Sequence, residues 1–147
     1  MRNFIRGFIA IWYLLGWMVH VYLGLFSPQI YAVFGSTALI PGYAALWQNW
    51  IMPNISFFAL LLAVFEIVTG GLLISSGKWV KLGLVASVLF NLFLVQMGLG
   101  ASADGLLNDF LSNRLANLVF IALQIPLFWG WDERSIPAAI AARFKRS

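Results

Sequence analysis

The side chains that could carry chemistry are the few polar residues inside long apolar stretches. Glu66 lies near the middle of the apolar run 56–76, and no other charged residue occurs in that run. A charged group at bilayer depth costs on the order of a few kcal/mol, so it needs a partner or a polar cavity. His20, the only histidine, lies in the second half of the run 8–26. These two residues are the first candidates for a functional site.

Glu66 and His20 are expected at similar depths if their two runs form antiparallel helices. Counted along helices that rise about 1.5 Å per residue, the two positions differ in height by only about 6 Å. The same count places Asn91 and Gln124 near mid-depth and Arg114 nearer the outer surface. The sequence therefore predicts a polar core, open to the outer side, in which these five residues are the candidates for binding a ligand.

Two interpretations of this polar core are open. In the structural one, Glu66, Asn91 and Gln124 hold helices together, each contact contributing about 1 kcal/mol or less, and His20 completes the network. In the functional one, Glu66 and His20 bind the polar head of a quinone or another small lipophilic molecule, or relay a proton to it. A single histidine cannot provide bis-histidine haem ligation.

Several kinds of chemistry are not expected from these residues. The sequence has no cysteine, which argues against disulfides, covalent haem and iron–sulfur clusters. Phosphate-binding loops, paired carboxylates, metal-spaced histidines and nucleophile elbows are also missing from the sequence. We therefore predict no catalytic residue and no metal site. Enzymatic activity stays open, and only as a subunit of a redox complex.

The composition indicates that these residues are positioned by membrane-spanning helices. The chain has 147 residues, of which 62% are hydrophobic and only 10% are charged. Since about 20 apolar residues cross the hydrocarbon, we expect four spans, near 8–26, 56–76, 80–99 and 115–131. The first run is too long and too aromatic for a cleaved signal peptide. The prediction is an all-α integral membrane four-helix bundle that forms a single domain over 1–147.

The distribution of Lys and Arg predicts the orientation. Eight of the nine basic residues lie before the first run, between the second and third, or after the fourth, and Arg114 is the exception. Short loops rich in Lys and Arg stay cytoplasmic, so both ends are expected inside, in a bacterial-type inner membrane. The net charge of +4 is better explained by anionic lipid headgroups than by nucleic acid, which is not an expected partner.

Two segments outside the spans are unusual. The outer loop 27–54 contains no charged residue, so we expect it to lie on or dip into the membrane, and a hydrophobic lid packed on the bundle is as consistent with it as an element that gates a ligand. Tyr43, Trp47 and Trp50 recur there at helical spacing, and aromatic rings favour the headgroup level. The tail 132–147 is basic and should begin with a short surface helix.

The sequence also resembles the DoxX-like membrane proteins, a family of small four-helix proteins named for subunits of thiosulfate:quinone oxidoreductase. The resemblance covers roughly the first two thirds of the chain and rests on Gly16, His20, Pro28, Tyr31, Pro41, Glu66, Gly70, Leu73, Gly77 and Gly83.

What this resemblance implies is an accessory or quinone-associated subunit of a membrane oxidoreductase or electron-transfer complex. The cofactor is unassigned, with a quinone as the candidate. The expected partners are the lipid bilayer and other membrane-protein subunits. Two alternatives stand beside it: a carrier of a small solute or protons, and a purely structural scaffold of a larger membrane assembly.

Overall fold

Four long helices make up most of the protein. The structure, a computed structural model, describes residues 2–130 and 134–145. Within them, four helices are long and apolar enough to cross a membrane: α1 (Arg2–Phe26), α2 (Tyr43–Ile74), α3 (Lys78–Met97) and α4 (Gly105–Phe128). A short helix, α5 (Ile136–Phe144), follows them. The prediction of an all-α, four-helix, multi-pass membrane protein with a short C-terminal helix is confirmed.

The four long helices form an up-and-down bundle. Helix α1 packs along α2, α2 along α3 and α3 along α4, while α4 returns to α1. The start of α1, the hairpin at 75–77 and the end of α4 share one end of the bundle, here named the terminal end. The opposite end, named the loop end, carries the 3₁₀ segment Pro28–Thr37, the end of α3 and the start of α4.

Helix α2 starts 13 residues earlier than the predicted start at residue 56. Its first three turns contain a π turn at Trp47–Ile51 and a 3₁₀ turn at Met52–Asn54. This stretch continues into the span, and its packing favours the prediction of a hydrophobic lid on the bundle over that of a segment lying free at the interface. Trp47 is buried, since the apolar surface of this stretch packs onto the bundle.

Helix α4 also starts early, ten residues before the predicted 115. It passes through a π turn at Phe110–Arg114 and ends at Phe128. The predicted end of this span, Trp131, lies outside the described residues, as do the first and last two residues of the tail 132–147.

The two halves of the bundle have separate cores. At the terminal end the core consists of apolar residues that are almost fully buried: Ile9, Ala10, Tyr13, Leu73, Val80, Leu84 and Leu127. Gly83 allows α3 to approach α2, because an added Cβ would lie only 3.0 Å from Cβ of Leu72. A second core near the loop end comprises Tyr31, Trp47, Ile55, Ala59 and Met97.

Cationic side chains cap the end of α4. Lys81 donates hydrogen bonds to the carbonyl oxygens of Leu127 and Phe128, and Arg2 donates to those of Pro126, Leu127 and Trp129. The last carbonyls of a helix have no partner within it, and a positive charge there is favourable. At the terminal end, two cations therefore bind the carbonyl oxygens of the same helix terminus.

Candidate functional site

A cavity of about 520 Å³ lies between the helices in the loop-end half of the bundle. All four long helices and the segment Pro28–Thr37 contribute to its walls. Its aromatic walls are formed by Trp12, Phe34, Trp47, Phe90, Phe93 and Phe120. Its polar groups belong to Tyr13, His20, Tyr31, Glu66, Asn91 and Asn117. The cavity therefore combines flat apolar surfaces with several hydrogen-bonding groups.

The predicted pair of Glu66 and His20 is present at this cavity. His20 Nε2 lies 3.4 Å from Glu66 Oε1, and His20 Nδ1 lies 2.6 Å from the Tyr31 hydroxyl. The indole nitrogen of Trp47 donates a 2.9 Å hydrogen bond to the carbonyl oxygen of Tyr31. Tyr31, His20 and Glu66 thus form a chain of three polar side chains, which begins in the loop-end core and ends at the Glu66 carboxylate.

Gly16 allows the Glu66 carboxylate to approach α1. A Cβ added at Gly16 would lie 2.8 Å from Glu66 Oε2 and 3.0 Å from Oε1. Only glycine therefore leaves room for the carboxylate in this position. Glu66 is 4% exposed, and its Oε2 has no hydrogen-bond partner among the described residues. A buried oxygen without a partner lowers the stability of the fold, because it has lost its hydrogen bonds to water and has gained no donor in their place.

A second polar group forms the cavity wall nearer the terminal end. The Tyr13 hydroxyl lies 2.8 Å from Ser87 Oγ and accepts a 3.1 Å hydrogen bond from the amide nitrogen of Asn91. The same nitrogen donates to the carbonyl oxygen of Ser87 at 2.8 Å. The ring of Tyr13 also packs edge-on against Phe65 and Phe120. Asn91 thus lines the cavity, as predicted, with its amide nitrogen already bonded within the protein.

Tyr31 is neutral over the ordinary pH range. Burial raises the pKa of its hydroxyl to about 12, and the negative charge of Glu66 adds to this shift. Because Tyr31 keeps its proton, it can either donate a hydrogen bond to His20 or accept one from it. The histidine therefore always has a polar partner on the side away from Glu66.

Arg114 lies outside the residues that line the cavity and ties three segments together. Its guanidinium donates to the carbonyl oxygens of Val95 at 2.6 Å and Thr37 at 2.5 Å. It also pairs with Asp109, at 3.2 Å between Nε and Oδ2. Arg114 is 5% exposed. It therefore caps the end of α3 and fixes the Pro28–Thr37 segment, and its position does not support the predicted role in binding a ligand.

Gln124 likewise lies outside the lining residues. It is fully buried, and its Nε2 donates a 3.1 Å hydrogen bond to the carbonyl oxygen of Phe120, one turn earlier in α4. Its position favours the structural interpretation of this amide.

The loop end of the cavity is covered by side chains of the segment expected to lie at the interface. Tyr31, Trp47 and Met97 line the cavity and are only 4–7% exposed. These side chains narrow the predicted opening on that side, because the apolar loop packs onto the bundle.

Two residues of the site were not chosen from the sequence: Tyr13 and Tyr31. A signal for Tyr13 existed, because Tyr13, Gly16 and His20 follow the spacing i, i+3, i+7 and so share one face of a helix. Tyr31 appeared only among the residues of the family resemblance. Asn117 is 9% exposed, and its amide nitrogen has no hydrogen-bond partner among the described residues.

Comparison of the chain with protein-family models, with curated proteins and with solved structures found no match.

Proposed function

We propose that this protein is an accessory subunit of a membrane oxidoreductase or electron-transfer complex, and that its cavity binds the head of a quinone. The observation that carries the proposal is a buried carboxylate in the wall of an aromatic cavity: Glu66 is a lining residue, and one of its oxygens has no partner among the described residues. Small-molecule sites typically enclose about 300–1,000 Å³ and combine apolar walls with a few polar groups. The volume of about 520 Å³ and the residues around it fit this class.

The walls suit a flat ring with oxygen atoms at its edge. Aromatic side chains such as Trp12, Phe90 and Phe120 offer faces and edges against which a quinone ring can pack. The Asn117 amide nitrogen, which has no partner among the described residues, can donate to a ring oxygen, and Glu66 can donate to one when its carboxyl group is protonated. The resemblance to the DoxX-like family supports the same class of function.

A continuous path for a solute through the bundle receives less support than a binding site that is reached from one side. Between the cavity and the terminal end lies an apolar layer of Ile9, Leu73, Val80, Leu84 and Leu127, each at most 1% exposed. A permeating ion or polar solute would have to displace this layer. Binding from one side accounts for the arrangement without such a movement.

The proposed setting is a bacterial-type inner membrane, with both chain ends on the cytoplasmic side. The basic residues near the terminal end support this orientation through the positive-inside rule. Because the chain has no cysteine, a single Ser102→Cys variant can be labelled with a membrane-impermeant maleimide. Reaction from the outer side is expected, and reaction only after the membrane is opened would contradict the orientation.

Titration of the detergent-purified protein with a short-chain ubiquinone tests the binding site. We expect saturable quenching of tryptophan fluorescence, because Trp12 and Trp47 line the cavity. Glu66→Leu should weaken binding at least tenfold. The matched control is Gln124→Leu, which alters a buried polar residue outside the cavity and should stay within twofold of wild type. Equal weakening in both variants, or no saturation in the wild type, would overturn the proposed site.

Native mass spectrometry of protein taken from its own membrane in mild detergent tests the assignment as a subunit. A complex with a second subunit that carries a redox cofactor is the expected result. A protein that runs alone under conditions that preserve other membrane complexes would argue against the accessory role.

A further inference from the structure

Helix α5 has two different faces. Its half-buried residues share one side of the helix, and Ile136 among them lies near α1, since its Cδ1 would be 3.7 Å from a Cβ added at Gly7. The exposed residues share the opposite side: Pro137, Ala138, Ile140, Ala141 and Phe144. All five are apolar, and Ile140 and Phe144 are 52% and 78% exposed. They form what we name the α5 stripe.

Helix α5 begins beside the second turn of α1. Besides the approach of Ile136 to Gly7, the guanidinium of Arg6 donates a 3.0 Å hydrogen bond to the carbonyl oxygen of Arg134. The neighbouring α1 residues Phe4 and Phe8 are exposed, as expected for apolar side chains that face lipid on a membrane-spanning helix. The first turn of α5 therefore lies level with the end of a span.

Two tryptophans mark the same end of the bundle. Trp79, at the start of α3, and Trp129, directly after α4, are both exposed. Tryptophan is enriched where membrane-spanning helices meet the lipid headgroups. A helix at this depth with an exposed apolar face gains free energy when that face contacts the boundary between headgroups and acyl chains.

The α5 stripe has a cation at each end. Arg134 precedes α5 and Lys145 follows it, and both are exposed. Over 132–147 the sequence contains four basic residues and two acidic ones, Asp132 and Glu133, which come before the helix begins. An apolar helix face accompanied by Lys and Arg is typical of helices that lie in the interface of anionic membranes.

From these observations we infer that α5 is a lipid-binding helix that lies in the headgroup region and prefers a leaflet rich in anionic lipid. The α5 stripe contacts the acyl boundary, while Arg134 and Lys145 bind anionic headgroups. The flanking lysine favours lipid over a protein partner, because lysine is depleted at protein–protein interfaces. This inference does not depend on the ligand of the cavity.

A fluorescent label on the α5 stripe tests this position. Because the chain has no cysteine, Ile140→Cys can carry a single NBD group in the full-length protein. The protein is placed in nanodiscs of phosphatidylcholine, with or without phosphatidylglycerol, where both bilayer faces meet the buffer. A lipid with a nitroxide near its headgroup should quench this label at least twofold more strongly than iodide does, and phosphatidylglycerol should increase the difference. The control label at Ser102→Cys, an exposed position at the loop end, should be quenched mainly by iodide.

Three other results at Ile140 would contradict the inference. Iodide quenching as strong as at Ser102 in both lipid mixtures would mean that the α5 stripe faces water. Protection from both quenchers would indicate that protein, such as a second copy of this chain, covers the stripe. Equal lipid quenching with and without phosphatidylglycerol would overturn the preference for anionic lipid.

Removal of one flanking cation tests the origin of the preference. Lys145→Gln, in the protein labelled at Ile140→Cys, should reduce the increase caused by phosphatidylglycerol at least twofold. The matched control is Lys78→Gln, which removes one exposed positive charge from the same end of the bundle outside α5. This control should keep the increase. Equal reductions in both variants would show that the lipid responds to the total charge of that end, and would overturn the assignment to α5.

Discussion

The terminal half and the loop half of the bundle use the same four helices in opposite ways. In the terminal half, Ile9, Leu73 and Leu84 have no exposed surface and pack directly against one another. In the loop half, the helices enclose a cavity of about 520 Å³ beside Glu66. The difference lies in the side chains, since aliphatic residues fill one half while rigid aromatic rings and polar groups leave space in the other.

The two ends also differ in how they are closed. The end of α4 is capped by both Arg2 and Lys81, and both donate to the carbonyl oxygen of Leu127. At the loop end, Arg114 joins α3, α4 and the Pro28–Thr37 segment, and Thr37 and Asn113 add further hydrogen bonds to the residues at and after the end of α3. A single guanidinium thus links three segments at the loop end, whereas two cations share one helix terminus at the terminal end.

The largest effect is expected from Arg114→Leu. Removing one partner of a buried ion pair typically costs about 3–5 kcal/mol, because the remaining polar groups stay buried. Lys81→Leu should cost about 1 kcal/mol, since Arg2 still donates to Leu127. Unfolding by SDS titration in mixed micelles measures both variants. Similar losses of unfolding free energy in the two variants would contradict this difference between the two ends.

Truncation of a leucine should have different effects in the packed core near the terminal end and in the wall of the cavity near the loop end. Leu84→Ala should lower the free energy of unfolding by about 3 kcal/mol, because it creates a new void in a fully buried core. Leu62→Ala only enlarges an existing cavity, and we expect about 1 kcal/mol. The same titration provides the measurement. A larger loss at Leu62 would mean that the cavity wall is the better-packed region.

Gly16→Val should cost about 1–3 kcal/mol, because its Cβ would overlap the Glu66 carboxylate. It should also abolish saturable quinone binding. The matched control is Gly71→Val in α2, where an added Cβ meets no atom within 4 Å. That control should stay within about 0.5 kcal/mol of wild type. Equal stability of the two variants would show that the carboxylate can move away from α1.

The smallest effect concerns the alkaline side of the stability profile. The pKa of Tyr31 is about 12 in the folded protein against 10.0 for the free side chain. Between these pH values the folded state holds more protons than the unfolded chain, so the free energy of unfolding falls as pH rises. The stability due to Tyr31 is complete below pH 10 and lost as pH rises through about 12. Thermal midpoints between pH 9 and 12.5 should fall less steeply in Tyr31→Phe. Parallel curves would place Tyr31 in a more solvated setting than its burial indicates.

The sequence predicted the spans and part of the site because both depend on local patterns. Long apolar runs determine membrane helices, and a constant rise per residue was enough to bring Glu66 and His20 to the same depth. The regular α-helical parts of α2 and α4 begin at Ile55 and Leu115, within one residue of the predicted starts. The sequence did not show that irregular π and 3₁₀ turns extend both helices outward. Arg114 was expected at the site because its charge is known from the sequence, whereas its hydrogen-bond partners are known only from the tertiary structure.

By itself, the sequence determined that four helices are long and apolar enough to cross a membrane and that a carboxylate and an imidazole lie at similar depths in them. Hydrophobic length and helical periodicity are properties of the chain alone. Only the tertiary structure decided that His20 contacts Glu66, that Tyr31 and Trp47 fold back over the pair, and that the Glu66 carboxylate lies against Gly16, with one oxygen lacking a partner among the described residues. These features depend on the packing of segments distant in sequence, where side-chain shape determines which polar atoms find partners.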